Sequence, residues 1–162
     1  MRNGTASTRN FMLTCTAIAA AGLLTVGGSA LASDEAGTIK TLKGAASVER
    51  GGLITPAVAG GKVMVSDRIQ TGPESSIGIT LRDNTLLSAG ASSTLVLNRF
   101  AFDSTTHAGA LDASVKRGTL AVVSGKIAKA SPDKVIFNTP SVALGVRGTE
   151  FIIDAGQRDG DK

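Results

Sequence analysis

The chain has 162 residues, 42% of them hydrophobic, with 17 Lys or Arg against 13 Asp or Glu, one His, one Cys and no Trp or Tyr. That is enough chain for one domain with its own core and too little for two full-sized ones. The single cysteine, Cys15, excludes an internal disulfide and a cysteine-based metal set. The lack of Trp and Tyr counts against the stacking platforms of single-strand nucleic-acid binders.

The first stretch reads as a secretory signal. Arg2 and Arg9 give a positive start, 11–26 is mainly apolar, and Gly27-Gly28-Ser29-Ala30-Leu31-Ala32 supplies small residues and an Ala-x-Ala site. Cleavage is expected after Ala32, giving a periplasmic or secreted product. Left uncleaved, 11–32 has the length of a membrane anchor, but Gly27, Gly28 and Ser29 suit a cleavage region better. Cys15 falls inside the signal, too early for a lipoprotein attachment site. Losing Arg2 and Arg9 brings basic and acidic residues close to balance, so no nucleic-acid partner is expected.

After a polar leader over 33–37, residues 38–49 read as two short strands around Gly44. Gly51-Gly52 and Gly60-Gly61 are turns, and Pro56 makes the segment between them an edge strand or a loop. Val63, Val65 and Ile69 form a strand interrupted near Asp67, and Thr71-Gly72-Pro73 turns the chain. Ile77, Ile79 and Leu81 alternate cleanly. Asp83-Asn84-Thr85 is a hairpin-type turn, because Asp and Asn bond their own backbone. Leu86, Leu87, Leu95, Leu97, Phe100 and Phe102 continue the strands, and 103–109 is a polar loop. Leu111, Ala113 and Val115, a Lys116-Arg117-Gly118 turn, then Leu120 and Val122 read as one hairpin. Gly125 and Pro132 bracket another loop. Val135 and Phe137 lead into the last strands, and a polar tail covers 155–162.

The most informative stretch is 138–151. Val142, Leu144 and Val146 alternate with smaller residues as a half-buried strand does, Gly148 bends the chain, and Phe151, Ile152 and Ile153 resume an apolar strand. Arg147, Gly148, Thr149 and Glu150 form the corner between two strands. No segment keeps a helical apolar stripe, and 20 glycines argue against long helices. The expected fold is therefore all-β: one domain over 38–154 of many short strands, arranged as a rolled sheet or sandwich, or as a short solenoid-like stack. Its core is expected from Val63, Val65, Ile69, Ile77, Ile79, Leu81, Leu95, Leu97, Leu120, Val122, Val142, Leu144, Val146 and Phe151.

Four pieces together resemble the FecR-type domain family. They are Asp67-Arg68-Ile69-Gln70-Thr71-Gly72 with Ser75 and Ser76, then Ile79-Thr80-Leu81-Arg82-Asp83-Asn84-Thr85, then Gly118-Thr119-Leu120. The last is Thr139-Pro140 followed by Val146-Arg147-Gly148-Thr149-Glu150-Phe151. Their order and spacing match over roughly 37–154. The resemblance implies a periplasmic all-β module. Its best-known setting is an inner-membrane regulator that relays an outer-membrane receptor signal to a sigma factor. This chain looks like a stand-alone exported form, and the resemblance brings no catalytic residues.

Asp67, Asp83, Asp103, Glu150 and His107 are the residues with acid–base chemistry. A hydrolase needs two acids facing one cleft. Asp83 has a turn role, Asp67 and Glu150 can pair with Arg68 or Arg147, and a lone loop His has no partners for a metal set. No catalytic residue, metal or cofactor is assigned. Two candidate surfaces stand out. One is the corner at Arg147, Gly148, Thr149 and Glu150, where an Arg beside a close backbone either ties the fold or holds an anionic group. The other is a basic face from Lys116, Arg117, Lys126, Lys129 and Lys134, suited to an acidic partner. The expected function is a non-catalytic exported adaptor that binds an envelope protein through a sheet edge or the basic face. The alternative is a glycan- or small-ligand-binding module of the envelope.

Overall fold

The computed structural model describes residues 35–145 and 150–156. The expected signal over 1–32, residues 146–149 of the corner and 157–162 of the tail lie outside the described residues. Among the described residues, short apolar alternations separated by turn residues fold into thirteen strands. They are β1 Glu35–Lys43, β2 Ala46–Arg50, β3 Leu53–Pro56, β4 Lys62–Met64, β5 Arg68–Thr71, β6 Ser76–Leu81 and β7 Leu86–Ala89, followed by β8 Thr94–Phe102, β9 Gly109–Arg117, β10 Thr119–Val123, β11 Val135–Asn138, β12 Ala143–Gly145 and β13 Glu150–Asp154. One short helix, α1 Lys126–Ala130, and a 3-10 turn at Pro132–Lys134 precede β11.

The strands form two sheets around one core. The first has the order β13-β10-β7-β6-β1-β4, and the second β12-β11-β9-β8-β5-β2-β3. Apart from β4 and β3 at one end, both orders follow the chain. The polypeptide winds from sheet to sheet and advances along both, so the sandwich carries a solenoid-like progression. Most neighbours are antiparallel; β9 and β11 are parallel, with α1 in the crossover between them. Ile77, Ile79 and Leu81 from one sheet and Ile69, Leu95 and Leu97 from the other are each 1–2% exposed. Burying each such side chain contributes about 1.5–3 kcal/mol. Pro56 closes β3, the edge strand of the second sheet, as its missing N–H requires.

Several expectations need correction. Leu111 to Val122 is not a hairpin: β9 belongs to the second sheet, and β10 pairs with β7 and β13 in the first. Both alternations face the core, but from opposite sides. Gly118 makes the crossing at φ +76°, where an added Cβ would meet Ser93 Oγ and lie 2.7 Å from Ser93 Cα. The segment expected as a loop between Gly125 and Pro132 holds α1, whose Ile127 is fully buried. Val142 and Leu144 are not core residues; they are 52% and 38% exposed. Val146 lies outside the described residues. Asp67 pairs with Arg50 rather than with Arg68, whose nearest carboxylate is Glu49 at 3.9 Å.

Candidate functional site

The polar residues of the sequence motifs are mostly spent on holding the chain where it changes direction. Asp67 is 0% exposed. Its Oδ1 accepts from Arg50 Nε at 2.7 Å, and its Oδ2 from Arg50 Nη2 at 2.7 Å and the Met64 N–H at 2.8 Å. This bidentate pair raises the Arg50 guanidinium above its ordinary value, chiefly through the hydrogen bonds to Asp67. The Thr71 hydroxyl donates to the Gly90 carbonyl at 2.6 Å and accepts the Ser93 N–H at 2.8 Å. Ser93 Oγ donates to the Thr119 carbonyl and accepts the Thr119 N–H. Ser75 Oγ accepts the Ala45 N–H at 2.9 Å. Asp83, also 0% exposed, holds both Thr85 and the N–H of Ile127 in α1. Each side chain satisfies backbone groups that lose their ladder partners at a crossing or turn. Asp67 and Asp83 are therefore joints of the fold.

The open surface lies elsewhere. β12 and β13 end their sheets on the same side, as the edge-on packing of Phe137 against Phe151 at 5.4 Å shows. Leu144 pairs with Phe137, which is 0% exposed, so Leu144 points to the core side of the second sheet. Val142 lies in the turn just before β12, its carbonyl accepting the Thr139 N–H at 2.7 Å, and is 52% exposed. Phe151, on the facing strand, is only half-buried. The core thus runs out at this end with apolar side chains still facing inward. Among the described residues, β12 pairs only with β11 and β13 only with β10. Of the expected corner, Arg147, Gly148 and Thr149 lie outside the described residues, and Glu150 opens β13 as an exposed residue opposite Val123.

A second feature is an open cleft of about 770 Å³ between the end of β8, the start of β9 and the 3-10 turn. Arg99, Phe102, Asp103, Asp112, Asp133 and Lys134 line it, with Ala101 and Ala110 among its small residues. A bulge between Leu97 and Arg99 frees Asn98 from strict pairing. Asn98 Nδ2 donates to Asp112 Oδ1 and Ser114 Oγ at 2.8 Å, and Asn138 Nδ2 donates to the same Asp112 oxygen at 2.8 Å. Asp103 accepts the N–H groups of Thr105 and Thr106, which lower its carboxyl below the ordinary range. A carboxylic acid catalyst needs the opposite shift. Arg99 and Asp112 were not singled out from the sequence. Their signal was Asn98-Arg99, which breaks the alternation running from Leu95 to Phe100.

The basic residues divide into two sets. Lys126 and Lys129 lie on α1, which packs at the start of β9, where a Cβ on Gly109 would come 3.0 Å from Ile127 Cδ1. Lys134 precedes Val135, which is in register with Leu111 in the same part of β9. Lys116 and Arg117 stand at the far end of β9. At roughly 3.3 Å per residue they are about 20 Å from Lys134. His107 is exposed in the 103–108 loop, stacked near Phe102 at 6.2 Å. Among the described residues no group of three or more His, Cys, Asp or Glu is arranged to hold a metal, and no helix is long and apolar enough to cross a membrane.

The family model described as FecR protein matches residues 67–161, more than half of the chain, and the chain belongs to that family. It is a regulatory and signalling family. The match begins at Asp67, yet β1 pairs with β6 and β2 with β5, so the four strands before it complete both sheets. No curated protein and no solved structure matches the chain.

Proposed function

We propose that this FecR-family chain is a non-catalytic, exported interaction module of the cell envelope. Its partner is an envelope protein that lays an extended apolar segment onto the open β12/β13 end. One observation carries the reading. Val142 and Leu144 have the alternation of a core strand, yet Leu144 stands 38% exposed on the core side of β12, and Val142, just before that strand, is 52% exposed. A strand added at this edge would cover Leu144 and the half-buried Phe151. It would continue the progression in which each strand covers its predecessor. Ile152, 75% exposed on the outer face of β13, adds an apolar side chain beside this end. Family membership supports a protein partner in general terms, and the signal reading supports export.

The test is cross-linking of the tagged full chain in intact cells, followed by identification of what co-purifies. The comparison is a Val142→Lys, Leu144→Lys double variant. Both positions are exposed, so its melting temperature is expected within a few degrees of the parent. Capture of an envelope protein by the parent and its loss in the double variant is the expected result. Equal capture by both chains would sink the assignment to this end. A captured second copy of the chain would replace the envelope partner with self-association.

A further inference from the structure

We propose that the cleft between β8, β9 and the 3-10 turn is a binding site for a neutral saccharide, separate from the partner surface at the β12/β13 end. Its volume of about 770 Å³ is that of a small-ligand site. One polar group at the centre of its wall, the Asp112 carboxylate, is fixed in advance. Asp112 Oδ1 is held by the amides of Asn98 and Asn138, and Asn98 is held in turn by Ser114, which is 4% exposed. A merely solvated sheet face has no need of such bracing. A polyol site does, because pre-positioned donors and acceptors avoid the cost of ordering them on binding.

The free groups are balanced in kind. Arg99 stands opposite Asp112 in register, but the two form no ion pair, and among the described residues no carboxylate takes its guanidinium donors. Lys134 adds further donors; Asp112 Oδ2 and the Asp133 carboxylate offer acceptors. With two cations against the three carboxylates of Asp103, Asp112 and Asp133, no strong field selects a charged ligand. Vicinal hydroxyls, each a donor and an acceptor, match paired carboxylate and guanidinium groups. Ala101 and Ala110 leave room for a flat ring to approach, and the half-buried Phe102 supplies an apolar ring at the border.

The full chain is titrated with chitotetraose and, separately, with maltotetraose, following backbone amide shifts. A saturable shift with at least one of them is expected at Ala101, Ala110 and Asp112. Affinity is expected to fall about tenfold or more in Asp112→Ala, which removes a charged hydrogen-bonding group. Arg99→Ala, a position without an ion pair among the described residues, is expected to weaken binding similarly while melting like the parent. The Val142→Lys, Leu144→Lys chain should bind as the parent does, which separates this site from the partner surface. No saturable shift with either sugar at millimolar concentration, shifts confined to another surface, or undiminished binding by Arg99→Ala would overturn the proposal.

Discussion

Asp83 separates two physical accounts of the same residue. As a turn former, Asp is interchangeable with Asn, which bonds its own backbone equally well. The structure gives it a longer reach. Its Oδ1 accepts the Thr85 N–H at 3.1 Å, while Oδ2 accepts the Thr85 hydroxyl at 2.7 Å and the Ile127 N–H at 3.3 Å. In Asp83→Asn only one oxygen survives. If it takes the Oδ2 position, the new amide donor faces the Thr85 N–H, and a buried bond is lost with a donor left unpaired. That costs about 1–3 kcal/mol. The two retained bonds lose their charge assistance, and relief from burying a charge offsets part of the loss. The net expectation is about 2 kcal/mol, or a fall of about 8 °C in melting temperature for a domain of this size. Thermal and urea unfolding of the full chain measures it, and amide exchange at Ile127 reports whether α1 loosens first. A change below about 0.5 kcal/mol would refute the clamp and return Asp83 to a local turn role.

Three further outcomes follow from the same geometry. Gly118→Ala places a Cβ against Ser93 at φ +76° and should cost about 2–4 kcal/mol by urea midpoint; a neutral result would mean the crossing has room that the geometry denies. Arg50→Met strands the Asp67 carboxylate, 0% exposed, with the Met64 N–H as its remaining donor. A broken buried pair costs about 3–5 kcal/mol, and Arg50 is half-exposed, so about 2–3 kcal/mol is expected by denaturation. Asp103 has a lowered carboxyl in the folded state, so its hold on the loop is complete above the ordinary carboxylate value and is lost as pH falls through the lowered one. Amide protons of Thr105 and Thr106 should lose protection only at that acidic limit; loosening that begins above the ordinary carboxylate range would contradict it.

Period-two alternation made much of this fold readable. Ile77, Ile79 and Leu81 were recognisable as a core strand because their spacing can serve only one buried face. Pro56 marked an edge, and Asp83-Asn84-Thr85 a hairpin between β6 and β7. Sheet membership was not readable. Alternation says that Leu111 and Leu120 both face a core, and is silent on whether they approach it from the same side. The helix α1 was hidden because five residues are too few to show a helical stripe. It is held by Asp83, 44 residues away from Ile127 in the chain. The cleft was hidden for a similar reason, since Arg99, Asp112 and Lys134 come from separate segments and meet only through strand register.

The motif residues that carried the family resemblance do a common job. A chain that crosses repeatedly between two sheets leaves backbone groups without ladder partners at each crossing. Asp67 serves the passage from β4 to β5, and Thr71 ties the end of β5 to the passage from β7 to β8; Ser93, outside those motifs, holds Thr119 of the third piece at the passage from β9 to β10. Short polar side chains fit there because they reach backbone without filling core volume. Their presence therefore predicts the architecture and says little about what the molecule binds. Binding has to be sought where local sequence and burial disagree. Val142 and Leu144 are apolar at core-type spacing without the burial that spacing serves, and Asn98-Arg99 interrupts a core strand to build a fixed polar wall. These two disagreements lie on separate surfaces, so losing one function by substitution at Leu144 should leave the other, centred on Asp112, intact.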